Sequence, residues 1–287
     1  MFQATHAAAF QDDTPLGHSA FASSARLGGV SSNDLRAFIT RNFAADKMVV
    51  AATGVDHDEF VALAQQQFGG APATSDGTAG AAAYVGGSVR FASPGPVAYY
   101  SIALEGPAVN GDAMDVAAAL VLAEAIGATS GAHDGLGDRA SALALAEAAD
   151  ESVGVASAFT RMYRDAGVIG VTAAATEATA GTSFATVSQV LKDAASLSGD
   201  ALVRAKNQAR MTYAQSVATG AGLRDDIGTQ LLLNGAVSDV AAAIDAVTPE
   251  DVERVMGAAL ASDVSVAALG AVTNVPRYST VASQFKN

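Results

Sequence analysis

The sequence predicts an α+β fold, an antiparallel-rich sheet covered by helices, laid out as one complete domain preceded by the C-terminal end of a homologous one. Three observations carry this prediction. A 26-residue stretch at 30–55, VSSNDLRAFITRNFAADKMVVAATGV, returns without a gap at 247–272 as VTPEDVERVMGAALASDVSVAALGAV. Between the copies, two strand-like apolar runs are followed by a hairpin pattern and then by a series of helical patterns. Half of the 287 residues are hydrophobic, which is enough for a packed core in one to two domains.

The repeat fixes the organisation. Val30/Val247, Asp34/Asp251, Ala44/Ala261, Asp46/Asp263, Val49/Val266, Ala51/Ala268 and Val55/Val272 are identical, and Leu35/Val252, Phe38/Val255, Ile39/Met256 and Phe43/Leu260 stay apolar. Ser31 and Thr248 each stand three residues before an Asp, the spacing of a capping box, and Pro249 occupies a first-turn position where its missing N–H is harmless. Apolar residues at helical spacing follow, then a short apolar run bounded by Asp46 or Asp263 that reads as a buried strand. Each copy is therefore expected to be helix, turn and strand. A spacing of 217 residues, from 30 to 247, is far too long for a solenoid and suits two related domains. On that spacing roughly 130 residues of the first domain are expected to lie outside this chain.

The elements follow in chain order. Residues 6–10 read as the end of a helix and 12–20, around Pro15 and Gly17, as a polar turn. After the first repeat copy, Asp56 and Glu59 have capping-box spacing, and Phe60, Leu63, Ala64 and Phe68 mark one helical face before Gly69 and Gly70 stop it. Residues 71–83, small and without periodicity, read as a linker, so the expected division is 1–70, 71–83 and 84–287. Strands are expected at 88–92 and 97–105, then a turn, then a helix capped by Asp112 and ending at Ile126. A glycine-rich loop at 127–138 and a short helix at 140–147 come next. Strands at 153–163 and 168–175, joined through Arg164, Asp165, Ala166 and Gly167, make a hairpin. Helices at 180–197, 200–218, 223–233 and 237–247 lead into the second repeat copy.

Composition excludes several function classes. With 29 acidic and 16 basic residues the net charge is −13, which argues against a phosphate-binding surface and so against nucleic acid as a partner. Without cysteine there are no disulfides, thiolate metal sites or cysteine nucleophiles. The longest strongly apolar run, 116–126, is interrupted by Glu124 and falls well short of the roughly 20 residues that span a bilayer, so no transmembrane segment is expected. The opening MFQATHAAAF has no Arg, unlike an organellar transit peptide.

The residues themselves assemble no active site. Metal-assisted hydrolysis needs clustered His and carboxylates, typically two His one helical turn apart with a Glu beside them. His6, His18, His57 and His133 have no such spacing. His57, among Asp56, Asp58 and Glu59, reads as a solvated helix-start residue, and His6 as a packing or interface residue. GLGDRA, from Gly135 to Ala140, superficially fits a dinucleotide fingerprint, but it follows an expected helix instead of a strand and so reads as a loop. There is no G-x-S-x-G elbow and no Walker-type loop. The acidic pairs Asp225 with Asp226 and Glu250 with Asp251 read as solvated helix faces and first-turn charges. No catalytic, cofactor-binding or metal-ligating residue is assigned.

Several segments resemble the pitrilysin-like superfamily: THAAAF and TPLG (5–10 and 14–17), SSNDLRAFITRNF and MVVAATGVDHDE (31–43 and 48–59), YVGGSVRF (84–91), AKN (205–207), IDAVTPEDV (244–252) and above all AFTRMYRDAGVIG (158–170). That superfamily includes the mitochondrial processing peptidase subunits and the core proteins of respiratory complex III. Ala158, Phe159, Tyr163, Asp165, Gly167, Val168, Ile169 and Gly170 are similar to the hairpin of its core protein 2 branch. The resemblance covers nearly the whole chain. It implies two homologous pitrilysin-like domains closing around a cavity, with the peptidase's inverted zinc motif in the part of the first domain that this chain is expected to lack. It also implies a non-catalytic core subunit without cofactor, on the matrix side of the mitochondrial inner membrane. Its implied partners are core protein 1, cytochrome b, the Rieske iron–sulfur protein and other complex III subunits. A separate polypeptide pairing with 1–70 is expected to complete the first domain, because an unpaired sheet edge and a bare apolar face invite aggregation. Two other readings stay open: a subunit or C-terminal half of a processing peptidase with zinc on a partner chain, and a cavity holding extended peptides by strand addition.

Overall fold

The computed structural model describes residues 1–11, 14–74, 80–130 and 140–286. Helices α1 (Phe2–Phe10), α2 (Ser24–Leu27), α3 (Ser32–Asn42) and α4 (His57–Phe68) precede strands β1 (Gly87–Ala92) and β2 (Val97–Gly106). Then come α5 (Ala113–Ile126), α6 (Ala142–Ala149), β3 (Val155–Met162), β4 (Gly167–Thr176), α7 (Ala180–Asp193), α8 (Gly199–Ser216), α9 (Gly220–Asn234) and α10 (Val240–Ala246). The chain closes with α11 (Pro249–Ala261), β5 (Ser265–Gly270) and α12 (Tyr278–Phe285). These elements form two compact units: Met1–His18, Ala81–Met211 and Val240–Asn287 in the larger, Ser19–Gly80 with Thr212–Asp239 in the smaller.

The larger unit is built on one five-stranded sheet in the order β1-β5-β2-β4-β3. Three of its pairs are antiparallel and β1 with β5 is parallel, so the expected antiparallel-rich α+β sheet is present. The β3–β4 hairpin forms as its turn residues predict, with the Tyr163 amide donating to the Ala166 carbonyl at 2.8 Å. Small residues let β4 lie tight against β2. A Cβ at Gly170 would stand 2.2 Å from the Ile102 carbonyl oxygen, and one at Gly167 2.1 Å from that of Pro107.

Successive strand residues point to opposite faces, and β2 shows both faces in use. The Tyr100 hydroxyl lies 2.7 Å from Ser183 Oγ of α7, while Ser101 Oγ lies 2.6 Å from Thr5 Oγ1 of α1 on the other face. Ile102 and Leu104, on the Tyr100 side, are fully buried in a layer where α5, α7 and α11 pack. Helix α5 starts where Asp112 accepts a hydrogen bond from the Met114 amide at 2.8 Å, and its Ala- and Leu-rich length buries Ala117, Ala118, Ala119, Val121, Leu122 and Ile126.

The repeat copies share one feature and differ in another. Both helices open with a complete capping box, Ser31 with Asp34 and Thr248 with Asp251. Only the second copy goes on to a strand, β5; residues 48–55 hold no strand, which corrects the expectation of helix, turn and strand in each copy. A strand exists through its ladder. All five strands belong to the larger unit, so among the described residues 48–55 has no ladder within its own unit.

The linker expected at 71–83 is described except for 75–79, and the glycine-rich loop except for 131–139, so GLGDRA up to Arg139 and His133 lie outside the described residues. Before that gap the chain is not a free loop: Ala128 bridges Ser157, and the Thr129 amide donates to the Ala156 carbonyl at 2.9 Å, extending the sheet beside β3.

Candidate interaction surface

The smaller unit carries the most unusual surface of the protein. In α3 the Ser31 amide donates to Asp34 Oδ2 at 2.9 Å and the Asp34 amide to Ser31 Oγ at 3.3 Å. Those bonds from the Ser31 hydroxyl and amide hold the Asp34 carboxyl below the usual carboxylate range. Beyond this cap, among the described residues, none of the helix's residues is buried. Leu35, Phe38 and Ile39 are 56%, 53% and 54% exposed, whereas their counterparts Val252, Val255 and Met256 in α11 are 0%, 6% and 0% exposed. An isolated helix shorter than about 12–15 residues is marginal in water, and helices in proteins are held chiefly by packing an apolar face. The 11 residues of α3 present such a face to solvent.

The exposure extends through the unit. Phe21, Leu27, Val30, Phe43, Leu63 and Phe68 are all exposed, and among the described residues of the unit only Ala44 and Gln230 are buried. Val50, Val55, Phe60, Phe68, Ile227 and Leu231 line an open groove of about 600 Å³. His57 also lines it and opens α4, where Asp56 Oδ1 accepts from the amides of Asp58 and Glu59 at 3.0 and 3.1 Å, as its helix-start reading implies.

A polar network secures the unit where apolar packing does not. The Tyr213 hydroxyl donates to Asp226 Oδ2 at 3.0 Å, Gln230 Nε2 donates to the same oxygen at 2.8 Å, and Gln230 Oε1 accepts from the Ser238 amide at 2.8 Å. Burial, and then the bond to the Asp226 carboxylate, push the Tyr213 phenol up to about 12. Asp226 is thus a tie between helices, which corrects its reading as a solvated face. Asp225 keeps that reading: it is exposed and pairs with Arg224 at 2.7 Å. Asp251 closes its capping box as a first-turn charge and also meets Arg254, which reaches on to Asp115.

In the larger unit His6 is a packing residue, as the sequence implies. Its Nε2 lies 2.5 Å from the Tyr163 hydroxyl and its Nδ1 2.9 Å from the Phe2 carbonyl oxygen. Burial, opposed by the Phe2 carbonyl and aided by nearby Arg161, lowers its pKa. Phe10, fully buried, meets Tyr84 and Tyr163 edge-on at 6.1 and 6.4 Å. Phe2, Thr5, Phe159, Arg161 and Thr172 line a cavity of about 200 Å³ beside this cluster. With both ring nitrogens engaged, His6 is placed for packing, not for ligation or proton transfer. Among the described residues, no three of His, Asp and Glu converge in a group that could hold a metal ion. Sequence reasoning missed the buried bond of Thr5 to Ser101 and the part-buried one of Tyr84 to Ser265, at 2.6 and 2.7 Å, because the partners stand 96 and 181 positions apart and nothing local marks them.

Comparison with known proteins follows the same lines. The family model described as the peptidase M16 inactive domain matches residues 29–209. The chain is 26% identical over 293 residues to the probable mitochondrial-processing peptidase subunit alpha-1 of Arabidopsis thaliana, covering 100% of this chain and 58% of that protein. It is 29% identical over 263 residues to cytochrome b-c1 complex subunit 2 of Mus musculus, covering 88% and 56%. The chain therefore spans just over half the length of these relatives. A chain of complex III2 from Candida albicans, with Inz-5 bound, matches 99% of this chain and 69% of its own length with a TM-score of 0.86 and 18% identity, a likeness of fold.

Proposed function

The chain belongs to the peptidase M16 inactive-domain family, and from that premise we propose that it is a non-catalytic structural subunit of mitochondrial respiratory complex III, of the core protein 2 type. The resemblance read from the sequence and the α+β fold class are borne out by the family match and the structural neighbour. The observation that carries the functional reading is the bare apolar face of α3: a unit with so little core of its own is suited to a protein that works by being packed into an assembly.

In this reading the chain is peripheral on the matrix side of the inner membrane, and its neighbours are core protein 1, cytochrome b and the Rieske iron–sulfur protein. Among the described residues no helix is long and apolar enough to cross a membrane. By the sequence repeat we assign residues 1–70 to the C-terminal portion of a first M16 domain, 71–83 to the linker and 84–287 to a second domain, a division by sequence that differs from the two compact units, where Met1–His18 belong with the larger and Thr212–Asp239 with the smaller. The inactive description of the matched family and the likeness to a cytochrome b-c1 subunit support a role without catalysis.

A second reading, a processing-peptidase subunit whose zinc sits on a partner chain, is favoured by the match of the alpha-1 subunit across the whole of this chain. Purifying the native assembly that contains this chain separates the two. Ubiquinol–cytochrome c reductase activity with cytochrome b and the Rieske protein present is the expected result. A soluble assembly that cleaves presequence peptides and loses that activity to a chelator would replace it.

A further inference from the structure

We propose that the cavity between β1, β5 and the start of α12 is a binding site for a small organic anion, a carboxylate carried on an apolar body the size of one ring. Register pairs Ser88 with Val266 and Arg90 with Ala268, so these four side chains leave the sheet on one face, the face that Tyr100 and Ile102 share in β2. The chain beyond β5 returns over them, and Arg277 and Tyr278 complete a partly enclosed cavity of about 180 Å³. An apolar cavity of about 150 Å³ binds benzene, so this one has room for a ring and little more.

Wall and rim differ in chemistry. Val266 and Ala268 are buried and Tyr278 is half-buried, which makes the wall apolar. At the rim, Arg90 Nη2 donates to the carbonyls of Val272 and Val275, the latter at 2.8 Å, and Nη1 to that of Pro276 at 3.2 Å. Those bonds fix the guanidinium in place, but they leave further N–H donors and do not neutralise its charge. Among the described residues neither Arg90 nor Arg277 has a carboxylate partner, and Arg277 is exposed. In a chain with 29 acidic and 16 basic residues that is unusual; Arg210, Arg224, Arg254 and Lys286 each pair with an Asp. Asp263, whose charge acts on the Tyr278 phenol, is itself taken by Lys286 at 2.9 Å. One fixed and one free guanidinium therefore line a ring-sized apolar space without an anion of the protein's own. Apolar walls with a few polar groups at fixed points are how small-molecule sites are built, and guanidinium with carboxylate is among the stronger hydrogen-bonded pairs.

The test is isothermal titration calorimetry of the full 287-residue chain with three probes: benzoate, its neutral isostere benzamide, and acetate, which keeps the carboxylate without the ring. Benzoate should bind saturably at one site per chain, and the other two about tenfold more weakly or worse. Arg277→Met should weaken benzoate about tenfold while leaving benzamide within about twofold, and because Arg277 is exposed the melting transition should not move. Arg161→Met, beside the separate cavity lined by Phe2 and Phe159, should leave benzoate binding unchanged. Absence of saturable benzoate binding, equal affinity for benzoate and either of the other probes, or a loss caused by Arg161→Met instead of Arg277→Met would overturn the proposal.

Discussion

Ile39→Ala and Met256→Ala alter equivalent positions of the repeat, and in the isolated chain they should differ sharply in cost. Met256 is fully buried in α11, where truncation to Ala removes apolar contacts and leaves a cavity, a change that costs about 2–5 kcal/mol. Taking about 3 kcal/mol, and about 2–4 °C per kcal/mol for a unit of this size, the melting transition of the larger unit should fall by about 6–12 °C. Ile39 is more than half exposed, so its truncation should fall within about 0.5 kcal/mol, and Ala's higher helix propensity could offset even that. Scanning calorimetry of the two variants, with circular dichroism at 222 nm to follow the helices, measures both. A loss from Ile39→Ala as large as that from Met256→Ala would refute the reasoning, because it would mean that the α3 face is already packed within the single chain.

Four further outcomes follow from particular contacts. Gly170→Val should cost about 3 kcal/mol or more in urea denaturation, because a Cβ there meets the Ile102 carbonyl oxygen; a loss below about 1 kcal/mol would contradict the tight β2–β4 pairing. Tyr163→Phe leaves the buried His6 without a partner at Nε2 and should cost about 1–2 kcal/mol. Because burial lowers the folded-state pKa of His6, its contribution is complete above the unfolded value near 6.5 and falls as the pH drops towards the folded one, so His6→Gln should flatten the dependence of stability on pH just below 6.5. The Asp251 carboxyl is held below its ordinary range by the Thr248 amide and then by Arg254 and the Thr248 hydroxyl; its contribution is complete above about pH 4 and is lost as the pH falls through the lowered value, so Asp251→Asn should make acid denaturation shallower in that window.

What the sequence made legible was local. Ser31 with Asp34 and Thr248 with Asp251 specify helix starts within four residues, and Arg164 to Gly167 specify a hairpin turn, so α3, α11 and the β3–β4 pair stand where the pattern places them. The parallel pairing of β1 with β5 and the bonds of Thr5 to Ser101 and Tyr84 to Ser265 join segments far apart in the chain and leave no local trace. Residues 48–55 show the same limit from the other side. Their apolar pattern is that of a strand, but pattern specifies only the side chains a sheet would bury, and the ladder must come from elsewhere. Asp226 was misread because its partners Tyr213 and Gln230 come from the end of one helix and the length of the next, a juxtaposition that charge spacing alone does not encode.

The apolar face of α3 is bare in the single chain, and the functional reading requires that an assembly cover it. Hydrogen exchange of the isolated chain and of the native assembly, read peptide by peptide by mass spectrometry, tests it most directly. Amides of 32–53 are expected to exchange within seconds in the isolated chain while those of β2, β4 and α5 stay protected, and 32–53 is expected to gain at least a hundredfold protection in the assembly. Protection of 32–53 in the isolated chain, or no gain in the assembly, would contradict it.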